Sequence, residues 1–284
     1  NEKIEYFSGR GKVTLQAWML DEWIPGERLR MVRNPYYHKV DTEGNQLPYF
    51  DYAVIEMVED RQAVALGGVS GAFDFDNMWT GVQHLEVLVQ NQDRGDYNIG
   101  YVDMQGMGMW FNLDHEDPVL KEVFRDVDFR RAFSIAIDRE EMDQVMYNGL
   151  LEPTAAVWSP ATPYYNEEAA KLWIEHDLQE AQDLLDQAGM RDRDGDGFRE
   201  APGGEPLQIV IDVANHDLYT PSVEMVVEDL QAIGINAVMD VNEQWFVYEK
   251  FLDGNFDVAT WDLGNAAAPF GSQYRHLWAP VDPN

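Results

Sequence analysis

Residues 192–200 read Asp192-Arg193-Asp194-Gly195-Asp196-Gly197-Phe198-Arg199-Glu200. Acids at the first, third and fifth positions with glycine at the sixth match the opening half of a calcium loop. There, carboxylate oxygens surround a hard cation and glycine allows the sharp turn. Phe198 stands where a backbone carbonyl is needed. The twelfth position, where a bidentate Glu belongs, is Gly203, so Glu200 or Glu205 must substitute. The predicted ligands of a structural Ca2+ are therefore Asp192, Asp194, Asp196, Phe198, Glu200 and Glu205. The alternative is a solvated acidic turn, which a chain with 52 Asp and Glu makes common.

Other chemistry is poorly supplied. Gly68-Val69-Ser70-Gly71-Ala72 approaches the nucleophile-elbow pattern but lacks its final glycine, and no His is placed to help. There is no His-Glu-x-x-His and no phosphate-binding loop. The absence of Cys removes thiolate nucleophiles, Cys-ligated zinc and disulfides together. Carboxylate pairs abound by composition, so a carbohydrate-active hydrolase using paired carboxylates stays open as an alternative. No cofactor is required by any motif, and the chain is read as not an enzyme.

The net charge of -32 repels phosphate backbones and anionic lipids, so no nucleic-acid partner is expected. Such a surface is read either as solubilising or as suited to high salt. At 45 % hydrophobic and 12 % aromatic residues the chain can bury a core, and its acids are spread among Trp, Tyr, Phe and Leu rather than run in blocks. No apolar run approaches the roughly 20 residues of a membrane helix. No signal-peptide pattern opens the chain at Asn1-Glu2-Lys3-Ile4, so an exported protein has had its signal removed or this is an internal segment.

The elements that must carry these residues follow from periodicity. Val13, Leu15 and Ala17 alternate as a first strand. Trp23 to Arg28 holds a Pro-Gly turn, and Leu29 and Met31, then Ala53, Ile55 and Met57, give two further strands. Residues 60–70 read as a helix and Phe73 to Phe75 as a short strand. Asp128 is predicted to cap a helix with Phe129, Ala132, Phe133 and Ala136 on one face. Asp138 and Glu141 form a capping box, with Gly149 as the stop. Asn166 is predicted to cap a long helix through Ala181, Leu184, Leu185 and Ala188, ending at Gly189. Leu207 to Val213, a helix from Thr220-Pro221 to Gly234, and Ile235 to Val241 form a βαβ unit over 207–241, hence parallel strands. A helix from Gln244 to Leu252 leads to a strand from Phe256 to Trp261.

Several of these segments stand in the order found in one known family. Gly11-Lys12-Val13 through Arg33-Asn34-Pro35-Tyr36-Tyr37, Ser70-Gly71-Ala72-Phe73-Asp74, the helix from Asp128 to Arg139, Ala181 to Gly189, Gln244-Trp245, and Gly254-Asn255-Phe256-Asp257-Val258 together resemble the family 5 extracellular solute-binding proteins, the oligopeptide- and dipeptide-binding type. The resemblance implies an α/β, periplasmic-binding-protein-like fold: hinged lobes with mixed, partly parallel sheets flanked by helices. It implies capture of a small oligomeric solute without chemistry and delivery to an ABC permease in the membrane. It also implies a monomer that is periplasmic or extracellular, with a lipid anchor at full length as one option. Family members are longer, so the chain is expected to be a fragment: residues 1–115 part of a strand-rich first lobe, 116–284 an incomplete second lobe.

The same resemblance supplies the ligand site. Trp245 matches a family tryptophan near the ligand. Trp261 and Asp262 border the loop that lines the cleft in relatives. Trp110 and Asn112 sit on the strand before the family helix, and Trp158 in a connecting loop. Each Trp has the alternative of being core. Peptide-binding relatives carry an acid after this last strand, but Gly264-Asn265-Ala266-Ala267-Ala268 has none and Asp262 is out of register. A neutral oligosaccharide, held by stacking and hydrogen bonds, fits these residues better than a charged peptide terminus; both remain candidates.

Overall fold

The computed structural model describes residues 14–58, 60–76, 81–101, 107–155, 160, 163, 165–216 and 218–262. The chain divides into two compact units, the first ending at Ile99 and the second beginning at Gly100.

The first unit holds a three-stranded antiparallel sheet of β1 (Trp18–Ile24), β2 (Arg28–Arg33) and β3 (Tyr52–Glu56), in that order. The predicted Pro-Gly turn joins β1 to β2, with Gly26 at φ +75° and Glu27 N–H donating to the Ile24 carbonyl at 3.1 Å. The alternation at Leu15 and Ala17 does not extend the strand. Leu15 is 82 % exposed, so no burial rewards the pattern. Buried Asn34 instead ties this stretch down, donating to the carbonyls of Thr14 and Gln16 at 3.0 and 2.9 Å.

Helix α1 (Arg61–Ser70) starts at Asp60, whose carboxylate accepts from Ala63 N–H, and stops at left-handed Gly71. The strand expected at Phe73–Phe75 is absent, because Phe73 folds back onto the helix. A Cβ at Gly67 would lie 2.6 Å from its ring, so a larger residue there would push the ring aside. Helix α2 (Leu85–Gly95), which carries no buried residue, was not anticipated.

The second unit is built on a four-stranded sheet ordered β4 (Met107–Phe111), β7 (Val258–Asp262), β5 (Gln208–Ala214), β6 (Asn236–Asn242). The expected βαβ unit is present: β5 and β6 run parallel in register from Gln208–Asn236 to Ala214–Asn242, joined by α8 (Tyr219–Ala232). Strand β7 adds parallel to β5, and β4 adds antiparallel to β7. Strand β4 lies within the residues 1–115 assigned from the sequence to the first lobe, and it is hydrogen-bonded into the second unit's sheet.

One face of the sheet packs on helices. These are α3 (Pro118–Arg125), α4 (Val127–Ala136), α5 (Arg139–Tyr147), α7 (Leu178–Gln187) and α8, with the one-turn α6 (Glu167–Ala170) lying between α5 and α7 in sequence. Phe111 meets Phe124, Phe129 and Phe133 at ring distances of 5.7, 6.0 and 4.9 Å, and Ile209, Ile211, Leu185 and Leu230 are fully buried. Each such side chain stabilises the fold by ~1.5–3 kcal/mol.

The caps refine the predicted starts. Asp126, not Asp128, caps α4, accepting from the N–H groups of Asp128 and Phe129. Asp138 caps α5 as expected, while Asn148 takes the left-handed turn ahead of Gly149. Asn166 caps only α6; the long predicted helix is broken, and Asp177 starts α7 afresh by accepting from Glu180 N–H. Left-handed Trp173 lies in the break. On the opposite face of the sheet lies α9 (Gln244–Asp253), packed against β5 and closed by left-handed Gly254.

Candidate ligand-binding edge

Parallel strands β5, β6 and β7 all end at one edge of the sheet, the position where open α/β sheets bind ligands. Trp261 stands near the end of β7, and Trp245 opens α9 just after the end of β6. Tyr248 lies between them, its ring 5.4 Å from Trp245 at 42° and 5.2 Å from Trp261 at 36°. Two tryptophans named from the sequence are thus joined by a tyrosine that was not. The i, i+3 spacing of Trp245 and Tyr248 on one helix was the available signal.

The ring cluster is partly wet and partly dry. Trp245 is 68 % exposed, with its Nε1–H donating to Glu249 at 3.1 Å. Trp261 is half-buried, and its Nε1–H is buried without an acceptor among the described residues. Such rings offer apolar faces with a polar handle.

Beneath α9 lies an ionic group that the sequence reading also missed. Lys250 donates to Asp212 on β5 and, at 3.2 Å, to Asp240 on β6, which stands opposite Asp212 in register. Burial pushes the Asp212 carboxyl up, and Lys250 pulls it back; the hydrogen bond from Lys250 holds Asp240 down. Burial works against the charge on Lys250, but the two carboxylates overcome it and raise its pKa. A charge inside the apolar run Ile209-Val210-Ile211-Asp212-Val213 was the visible sign.

The remaining named residues separate. Trp110 stands opposite Ala259, on the same sheet face as Trp261 by the two-residue period. Asn112 does not join the edge. It lies past the far end of β4, 9 % exposed, and donates its amide to the Gly254 and Phe256 carbonyls at 2.9 Å each. Its donors are spent on the α9–β7 turn. Asp262 pairs with Met107 through the backbone. Trp158 lies outside the described residues.

The acidic loop gathers as the spacing predicts, between α7 and β5. Carboxylate oxygens of Asp192, Asp194, Asp196 and Glu200 all lie within 4.8 Å of one another. The turn is shaped by its own acids: Asp192 accepts from Gly195 and Gly197 N–H, and Asp196 from Phe198 N–H at 2.8 Å. Glu200 joins the three aspartates in this cluster and accepts from Arg193 N–H. Glu205 stays out of the cluster, its carboxylate folded beside Gly203. An all-oxygen set of this size fits a calcium ion.

The profile of the bacterial extracellular solute-binding proteins, family 5 Middle, matches residues 7–283. The chain belongs to this family. It is 29 % identical over 292 residues to the periplasmic alpha-galactoside-binding protein of Rhizobium meliloti (strain 1021), covering 94 % of this chain and 40 % of that protein. Among solved structures it resembles an oligopeptide-binding protein OppA, with TM-score 0.63 and 32 % identity over 96 % of this chain and 44 % of that one. It also shares the fold of the periplasmic binding protein MelB of Agrobacterium fabrum C58, solved in complex with stachyose. There the TM-score is 0.72 and the identity 22 %, over 88 % of this chain and 39 % of that one. The chain therefore spans under half the length of each of these three proteins.

Proposed function

We propose that the protein captures an oligosaccharide for import through an ABC transporter, stacking sugar faces on Trp245, Tyr248 and Trp261. The ring cluster at the carboxyl edge of the sheet carries this reading. Aromatic faces suit the C–H surface of a sugar ring, and an indole N–H can meet a hydroxyl. The alpha-galactoside-binding relative and the stachyose-bound fold relative support a neutral sugar. The partner is a membrane permease, and the compartment is periplasmic or extracellular, as for the relative named periplasmic.

An oligopeptide is the second reading, supported by the OppA relative. A hydrolase is disfavoured. Asp212 and Asp240, paired across β5 and β6 beneath α9, share Lys250, and Asp212 is buried, so neither is placed for acid–base work on a sugar. The test is tryptophan fluorescence titrated with stachyose and, separately, with a mixed oligopeptide pool, with products assayed in both. Saturable quenching by stachyose without cleavage supports the proposal. Quenching by peptides alone transfers it to the second reading, and turnover of either ligand overturns it.

A second proposal concerns the acidic loop: Asp192, Asp194, Asp196 and Glu200 hold a structural Ca2+, with the Phe198 carbonyl completing the set.

A further inference from the structure

Helix α9 carries the ring cluster and the ionic anchor on opposite flanks. At 100° per residue, Tyr248 and Lys250 point about 160° apart, with fully buried Val247 between them. Tyr248 reaches Trp261 on β7, and Lys250 reaches Asp212 on β5 and Asp240 on β6. The helix is therefore held on its two flanks and at its centre. Val247 alone does not fix its roll, because apolar contact is non-directional. A hydrogen-bonded ion pair is directional, and the Asp212 end is only 1 % exposed, so the anchor cannot wander in solvent.

We propose that Lys250 is a positioning residue for the ligand edge: its bonds to Asp212 and Asp240 set the roll of α9 that brings Tyr248 and Trp245 against Trp261. This inference rests on the ring cluster being the binding surface, but its first readout needs no ligand.

The variant is Lys250→Met, which keeps the apolar stem and removes the charge. The ring cluster's own signal is first defined as the near-ultraviolet circular dichroism difference between wild type and Tyr248→Leu. Lys250→Met is expected to lose that same component while far-ultraviolet spectra stay unchanged, and to weaken stachyose binding about tenfold, ~1.4 kcal/mol. Lys250→Arg, which keeps a charged donor, is expected to restore both. Asp240→Asn removes one of the two negative charges facing Lys250, at the half-exposed end, and is expected to shift both readouts in the same direction by less, so the question stays answerable if Lys250→Met fails to fold. The inference is overturned if Lys250→Met, or Asp240→Asn in its place, lowers the melting temperature but leaves the ring signal intact. If wild type binds no stachyose while the ring signal still depends on Lys250, the anchor stands and the functional reading falls.

Discussion

Lys250 and Asp212 meet across the boundary between α9 and the sheet, 38 residues apart in sequence, with Asp212 1 % and Lys250 18 % exposed. Asp212 is too deep for water to replace a lost partner. Lys250→Met is expected to destabilise the second unit by about 3 kcal/mol, because it strands a buried carboxylate. Adding Asp212→Asn should recover most of that loss. Denaturant melts of the single and double variants check this, and an additive double mutant would refute the pairing.

Trp245 separates binding from folding. It is largely exposed, so Trp245→Ala should change stability by less than about 0.5 kcal/mol. The same change should weaken stachyose binding about tenfold, since stacking of this kind contributes on the order of 1 kcal/mol or more. Isothermal titration beside a thermal melt decides the matter; unchanged affinity would remove Trp245 from the site.

Asn112 should behave in the opposite way. Asn112→Ala leaves the Gly254 and Phe256 carbonyls without their donor and should cost about 2 kcal/mol of stability. Ligand affinity measured below the melting range should hold. A selective loss of affinity would return Asn112 to the binding edge.

Calcium should raise the melting temperature, and chelation should lower it. At a hundred times its dissociation constant a bound ion adds about 2.7 kcal/mol. Asp192→Asn removes the acid that also shapes the turn and should abolish the difference between calcium and chelator. Equal melting temperatures for wild type in both would mark the loop as a solvated turn.

Asp41, in the loop between β2 and β3, is held low, at about 2, by hydrogen bonds from the Asn45 side chain, then Tyr49 and the Asn45 backbone. A carboxyl lowered from 3.8 contributes stability that is present above pH 3.8 and lost as pH falls towards 2. A carboxyl NMR titration should show its midpoint near 2. A midpoint near 4 would mean that these bonds do not persist in solution.

The local chemistry of the chain was written in its sequence. Asp138 announces a helix start because a short carboxylate satisfies free N–H groups wherever it precedes a helical run. The alternation from Ile209 to Val213 and the run from Ile235 to Val241, either side of a helix, specified parallel strands, since that crossover admits little else. The spacing of Asp192, Asp194 and Asp196 brought their carboxylates together because one turn of chain suffices. Tertiary structure decided the rest. Leu15 alternates correctly yet buries nothing, and the helix predicted from Asn166 breaks before Asp177. The Asn112 amide found a turn some 140 residues away. Tyr248 joined Trp245 and Trp261, and Lys250 found Asp212, only because α9 lies across the sheet at one particular roll. Periodicity shows which side of an element is buried, but contacts between distant elements depend on how they pack.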